Sequence, residues 1–316
     1  MKQSKHITEG AMLLAVFVIL LLFTMFVPVI SFVGFFLIPV PFIVYASRYS
    51  WKPSLVMLGA ALLLSLLFVP VVTLPLSVFA GLGGIMIGVA IHDKLTPYET
   101  WARGTLGYVF GLLFVFLFTQ YFLNINYSQE LQIVIDESLE TTMGLLQNVG
   151  LENQQLDEIQ QLMEDNFSNV LKLIPVILVV ISMVIGLVSQ WLSYKVMNRT
   201  WGKVHHFPPF RTFKLPTSII WLYVIALLIV WFGTDSESAI AMGANNVYAL
   251  IGLLMVLQGF SFMFFFAHLK KKSKALPITA IILTVLFPMV LFYLVLIIGI
   301  IDLGFDLRKY LSEKEK

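Results

Sequence analysis

NINYSQELQIVIDESLETTMGLLQNVGLENQQLDEIQQLMEDNFSNVL, residues 124–171, is the one long polar segment of this chain. It holds nine carboxylates (Glu130, Asp136, Glu137, Glu140, Glu152, Asp157, Glu158, Glu164 and Asp165) and no Lys or Arg. Leu131, Ile135, Leu139, Met143 and Leu146 recur at helical steps, and Leu156, Ile159, Met163, Phe167 and Val170 repeat the pattern. This periodicity predicts two helices with an acidic outer face and an apolar inner seam, turning near Gly150 and Asn153. At 1.5 Å per residue, arms of about 20 residues reach about 30 Å. One reading is a stalk whose arms bury each other's stripes; the other is a lid or a docking surface for a partner. No Asp-x-Asp-x-Asn-Gly loop occurs, so the carboxylates read as solvated and not as metal ligands.

Everything around this segment is apolar. The chain has 316 residues, 59% of them hydrophobic and 12% charged, with a mean hydropathy of +0.91. Soluble domains carry about 25% charged residues, so composition places the chain in the membrane class. There is no cysteine, which excludes disulfides and thiolate chemistry. The first ten residues are short and basic and lead into an apolar run with no small-residue cleavage signal, so the first span is read as retained. Apolar runs lie at 11–27, 29–46, 54–74, 76–91, 104–123, 173–194, 216–233, 244–269 and 277–301. Each approaches the ~20 residues a span needs, so the expected fold is an all-α polytopic bundle of about nine spans. Pro28 leaves almost no loop between the first two runs, predicting a tight hairpin or a re-entrant piece. Pro39, Pro41, Pro70 and Pro75 predict kinks or broken helices.

Charge sets the orientation. With a cytoplasmic N-terminus, the inside loops hold fifteen of the twenty Lys and Arg, while the outside loops hold Lys172 alone. The positive-inside rule then puts residues 124–171 outside the cytoplasm. Nine spans would also put Arg308, Lys309, Lys314 and Lys316 outside. Pro288 divides the last run, however, and a split there, or one earlier run that fails to span, would return the tail to the inside. One crossing is the expectation.

Between Ala11 and Ile301 no charged residue lies in mid-span. Ion-coupled carriers and intramembrane enzymes need such groups, so neither class fits and no catalytic, cofactor or metal residue is expected. His92, Asp93 and His268 read as interfacial caps, and His205 and His206 as loop residues. Gly84 and Gly88 in the fourth run, and Gly107 and Gly111 in the fifth, have the spacing that lets helix backbones approach. Ala11 and Ala15 leave a smooth strip on the first helix, read either as internal packing or as docking for another membrane subunit. Polar residues gather at outer span ends. Thr119, Gln120 and Asn124, with Asn245 and Asn246, either line a pocket for a small, weakly polar ligand or are ordinary interfacial amides. Residues 195–216 mix Arg199, Lys203, Arg211 and Lys214 with Trp201, Phe207, Phe210 and Phe213. That mixture suits an anionic inner leaflet or a cytosolic partner better than nucleic acid.

The basic start into Gly10-Ala11 and Ala15, the Gly-rich span ending His92-Asp93-Lys94, Phe213-x-x-Pro216 before Trp221, and Gly299-x-x-Asp302-x-x-x-Asp306-x-Arg308 together resemble the YybS-like bacterial membrane proteins, a domain-of-unknown-function family. That family is distantly similar to the substrate-binding S components of energy-coupling-factor vitamin transporters. The resemblance implies a six-span bundle whose Ala-x-x-x-Ala strip, here Ala11 and Ala15, docks a transmembrane coupling subunit served by ATPases. The long outer hairpin and the extra spans depart from that pattern. The organisation expected is five spans (1–123), an outer hairpin (124–171), a sixth span (172–198), a basic-aromatic loop (199–215) and a three-span end with tail (216–316). No phosphate-binding loop is present, so energy would come from a partner. The alternative is a non-transporting scaffold or regulator in a bacterial cell membrane, binding proteins through the hairpin and cytosolic loops.

Overall fold

The computed structural model describes residues 2–149, 153–202, 205–233 and 238–314 of the chain. Among them every regular element is helical, with no strand. Eight helices are long and apolar enough to cross a membrane, and two apolar helices are shorter.

Helix α1 (Lys2–Phe26) stops at Val27, whose extended backbone precedes Pro28 at the first position of α2 (Pro28–Leu37). Proline there has no N–H to waste and starts a helix readily. The chain folds straight back: the Ser31 hydroxyl donates to the Thr24 carbonyl at 2.6 Å, and Gly34 leaves room for the Thr24 side chain. This is the tight hairpin that Pro28 implied. Pro39 then separates α2 from α3 (Val40–Tyr49). Ser50, at φ 65°, turns the chain into α4 (Trp51–Phe68), and α5 (Leu74–His92) follows. Helix α6 (Pro97–Phe122) opens with a reciprocal cap. Glu99 N–H donates to the Thr96 hydroxyl, and the Glu99 carboxylate accepts from Thr96 N–H at 2.9 Å.

The acidic segment forms α7 (Tyr127–Asn148) and α8 (Asn153–Lys172). Leu139 and Leu156 are buried, and the eight carboxylates among the described residues are exposed. The stripe fades at its ends, where Leu131 and Val170 are exposed. The expected turn at Gly150 lies outside the described residues, as does Lys203 of the basic loop. Helices α9 (Ile174–Trp201), α10 (Ile219–Phe232), α11 (Ala239–Leu269), α12 (Ala275–Leu286), α13 (Pro288–Phe305) and α14 (Leu307–Lys314) complete the chain.

Two compact units result. The first comprises residues 1–171 and 177–207, the second 172–176 and 208–316. Unit 1 is built on α3, where every residue from Val40 to Ala46 is buried. Its neighbour α5 is nearly as buried, and glycine makes that possible. A Cβ at Gly84 would stand 2.8 Å from the Pro39 carbonyl, and one at Gly88 would stand 2.6 Å from the Ile43 carbonyl. On α6, a Cβ at Gly107 would lie 2.9 Å from the Leu82 carbonyl, and one at Gly111 would lie 2.8 Å from the Phe79 Cα. The α5 pair therefore meets α3, and the α6 pair meets α5. In lipid this closeness itself supplies the attraction, because apolar burial gains nothing over lipid contact.

Unit 2 resolves the last apolar run. It is two helices, broken at Phe287–Pro288, and α13 runs parallel to α11. Gly252 faces Leu296, Met255 faces Gly299 and Gln258 bonds Asp302, each pair 44 residues apart. Two helices joined through α12 can run parallel only if α12 carries the chain back between them. The expected single crossing is thus a helix pair, and α13 ends at the same end of the unit as α11.

Candidate functional site

At the basic end of unit 1, α1 is pinned to α3. The Glu9 carboxylate accepts from Arg48 Nη1 at 2.5 Å and from the Tyr49 hydroxyl at 2.7 Å. The Arg48 guanidinium lies 3.7 Å above the Trp201 ring, which ties in the end of α9. The Tyr45 hydroxyl donates to the His6 carbonyl at 3.4 Å, and its ring passes so near Gly10 that a Cβ there would lie 3.2 Å away. Gly10 thus lets the buried Tyr45 ring come close to α1. An open groove of about 620 Å³ runs alongside, walled by Ile7, Ala11 and Leu14 of α1 and by Val56 and Ala60 of α4. Ala11 and Ala15 are both exposed, one turn apart, and Ala11 lines the groove.

The residues read as a possible ligand pocket are placed as follows. Thr119, Gln120 and Asn124 belong to unit 1; Asn245 and Asn246 belong to unit 2. The buried Thr119 hydroxyl bonds the Val115 carbonyl at 2.7 Å and the Tyr127 hydroxyl at 2.7 Å, linking α6 to α7. Asn246 accepts from Val176 N–H at 3.2 Å and donates to the Lys172 carbonyl at 2.8 Å, tying residues 172–176 of unit 2 to α11. Gln120, Asn124 and Asn245 are exposed. In the basic-aromatic loop, Asn198 pairs with both backbone groups of His205, whose ring stacks on Tyr194 at 5.3 Å. No three His, Cys, Asp or Glu come together as a metal site among the described residues.

A polar cluster centred on Asp302 and Arg308 of the closing motif, which sequence did not read as a site, lies inside unit 2. Asp302 is fully buried near the end of α13. It accepts from Gln258 Nε2 at 2.5 Å and from Arg308 Nε at 3.0 Å. Arg308 also donates to the Arg211 carbonyl at 2.8 Å and to the Ser261 hydroxyl at 3.1 Å. Ser261 Oγ lies 2.8 Å and 2.7 Å from the carbonyls of Phe210 and Phe213, and Gln258 Oε1 accepts from Leu215 N–H at 3.0 Å. The network therefore clamps residues 210–215, a single 3-10 turn (Phe210–Thr212) and the non-helical residues after it, against α11 and α13. Two signals were visible: Gln258 and Ser261 share a helix face, and Asp302 sits one residue beyond the apolar run, six before Arg308. Sequence alone gave Asp302 and Arg308 only as members of the closing Gly299–Arg308 motif, because nothing local says that residues 47 and 97 positions away converge on Arg308.

No solved structure matches the chain. It is similar to "Uncharacterized protein YybS" of Bacillus subtilis (strain 168), with 29% identity over 308 residues that cover 98% of this chain and 99% of that relative. The family model described as "Predicted membrane protein (DUF2232)" matches residues 15–303. With eight helices of membrane-spanning length and composition among the described residues, the chain is an integral membrane protein that belongs to this family.

Proposed function

We propose that this protein is the solute-binding subunit of a multi-subunit uptake system in a bacterial cell membrane, and that it depends on partner subunits for energy. The observation that carries this reading is the groove beside Ala11. Small residues there leave a trough of about 620 Å³ on a helix surface that is otherwise bulky, and a partner helix can lie in it. Ala15 extends the strip by one turn. The Glu9–Arg48–Tyr49 contacts hold the α1 wall in place, so little ordering would be needed on docking. In this reading the N-terminus is cytoplasmic and the acidic hairpin outside. The direction of α13 supports that sidedness, because it brings Arg308 and Lys309 to the end that carries Lys270, Lys271, Lys272 and Arg211. The solute is small and weakly polar, met by exposed amides such as Gln120 and Asn124.

The test is co-purification from gentle detergent, with mass spectrometry of bound subunits and small molecules. Replacing Ala11 and Ala15 by Leu should abolish recovery of the coupling subunit while leaving the protein monodisperse. Deleting residues 128–168 should leave recovery intact. If the Leu variant keeps its partners and the hairpin deletion loses them, the protein is a scaffold or regulator that binds through the hairpin.

A further inference from the structure

We infer that unit 2 carries a binding site for the phosphate headgroup of an anionic phospholipid, at the end of α11. A cavity of about 450 Å³ opens there, within the usual range for small-ligand sites. Arg211, His268, Lys271, Lys272 and Lys274 line it, and no carboxylate does among the described residues. The cations come from three places in the fold: the clamped 210–215 segment, the last turn of α11, and the junction before α12. Phe210 and Phe264 form its apolar side, with ring centroids 5.8 Å apart. Four full positive charges with aromatic walls, at the end of a span helix, match a lipid phosphodiester with its glycerol and first methylenes.

Two simpler explanations fall short. Cations do gather at helix C-termini, where the backbone presents roughly half a negative charge. Four lysine and arginine charges far exceed that half charge, and Arg211 is not on the helix at all. Chance placement of lysines does not explain Lys271. The helix closes with Lys272 N–H bonded to the Ala267 carbonyl at 2.8 Å and Lys271 N–H bonded to the His268 carbonyl at 3.1 Å. That closure puts Lys271 at φ 52°, the left-handed position where glycine is the favoured residue. A long cationic side chain occupies a strained backbone position, and it faces the cavity. The Arg308 clamp adds stiffness, since it grips the Arg211 carbonyl and so fixes where the Arg211 side chain starts.

The experiment uses the full-length protein in vesicles of phosphatidylcholine containing a minor fraction of phosphatidylglycerol. Lipids that stay on the protein after gentle release are counted by native mass spectrometry. The wild type should retain phosphatidylglycerol in preference to phosphatidylcholine. Arg211→Gln, Lys274→Gln and Lys271→Gly should each weaken retention about fivefold, which corresponds to roughly 1 kcal/mol per cation near a lipid surface. Lys271→Gly also guards against misfolding, because glycine relieves the backbone there and the variant should be at least as stable as wild type. Retention unchanged in all three variants overturns the site. A second arm adds inorganic phosphate to protein in phosphatidylcholine alone. Phosphate binding that depends on Arg211, without any preference for phosphatidylglycerol, overturns the lipid and leaves a soluble phosphate as the ligand.

Discussion

Replacing Asp302 by Ala tests the polar clamp of unit 2 most directly. The carboxylate is fully buried and receives donors from Gln258 and Arg308. Removing it leaves a guanidinium whose side chain is only 11% exposed, with two neutral acceptors and no counter-ion. Breaking a buried pair in this way costs about 3–5 kcal/mol, most of it the uncompensated charge. The Gln258 amide loses its acceptor as well. The double change Asp302→Leu with Arg308→Met removes both charges, so it avoids the stranded guanidinium and should forfeit only the hydrogen bonds to Arg211, Ser261 and Gln258, about 1 kcal/mol each. The assay is amide hydrogen exchange of residues 208–216 in detergent or a lipid disc. Leu215 N–H is a built-in reporter, because its acceptor is the Gln258 side chain. A 3 kcal/mol loss should speed its exchange by about two powers of ten, and the double variant should lie between wild type and the single variant. If Asp302→Ala exchanges like wild type at Leu215, or if the double variant is worse than the single, the clamp does not hold this segment and the account of unit 2 fails.

Packing glycines should separate cleanly from idle ones. Gly84→Ala and Gly88→Ala push a methyl into the α3 backbone and should each lose about 1–3 kcal/mol, whereas Gly59→Ala, with nothing within 4 Å, should be neutral or gain about 0.5–1 kcal/mol. Thermal loss of monodispersity reads the difference, and equal effects at all three would refute the described α3–α5 contact. At the mouth of unit 2 the Lys214 ammonium, 2.7 Å from Asp306, holds that carboxyl below the ordinary aspartate range. A lowered folded value means the pair stabilises above the unfolded aspartate value of about 3.9, and that this contribution is lost as pH falls through the folded value. Both groups are well exposed, so the effect should stay below about 1 kcal/mol. Asp306→Asn tolerates the same left-handed backbone, and wild type should hold a small stability advantage over it near neutrality that vanishes on acidification. A constant difference across pH would show the pair to be idle.

Much of the architecture could be read directly from residue order. Long apolar runs leave few alternatives to helices, and the acidic segment shows its own three- and four-residue step. Thr96-Pro97-Tyr98-Glu99 announces the start of α6, and Pro28 the first hairpin. The final run was harder. Pro288 marks a break, but the direction of the chain beyond it is read from contacts between Gly252 and Leu296 and between Gln258 and Asp302, which no local pattern encodes. Polar residues at span ends were ambiguous for a related reason. A threonine that bonds its own helix, as Thr119 does, and one that faces a ligand look identical in a sequence. Asp302 was hidden by position. One residue past an apolar run it resembles any interfacial acid, and its burial follows from a loop and two helices closing over it.

The break at Phe287–Pro288 also bears on how the chain enters its bilayer. Helix α12 has 12 residues, so it rises only about 18 Å, short of the ~30 Å hydrocarbon layer. Its tip is greasy: Leu286, Phe287, Met289 and Val290 are all more than 60% exposed. Both feet of the pair stand on one side, with Lys271, Lys272 and Lys274 before it and Arg308 after it. Inserted from that side, such a wedge would draw no ammonium or guanidinium to the far side, so its assembly would need no electrostatic barrier to be crossed.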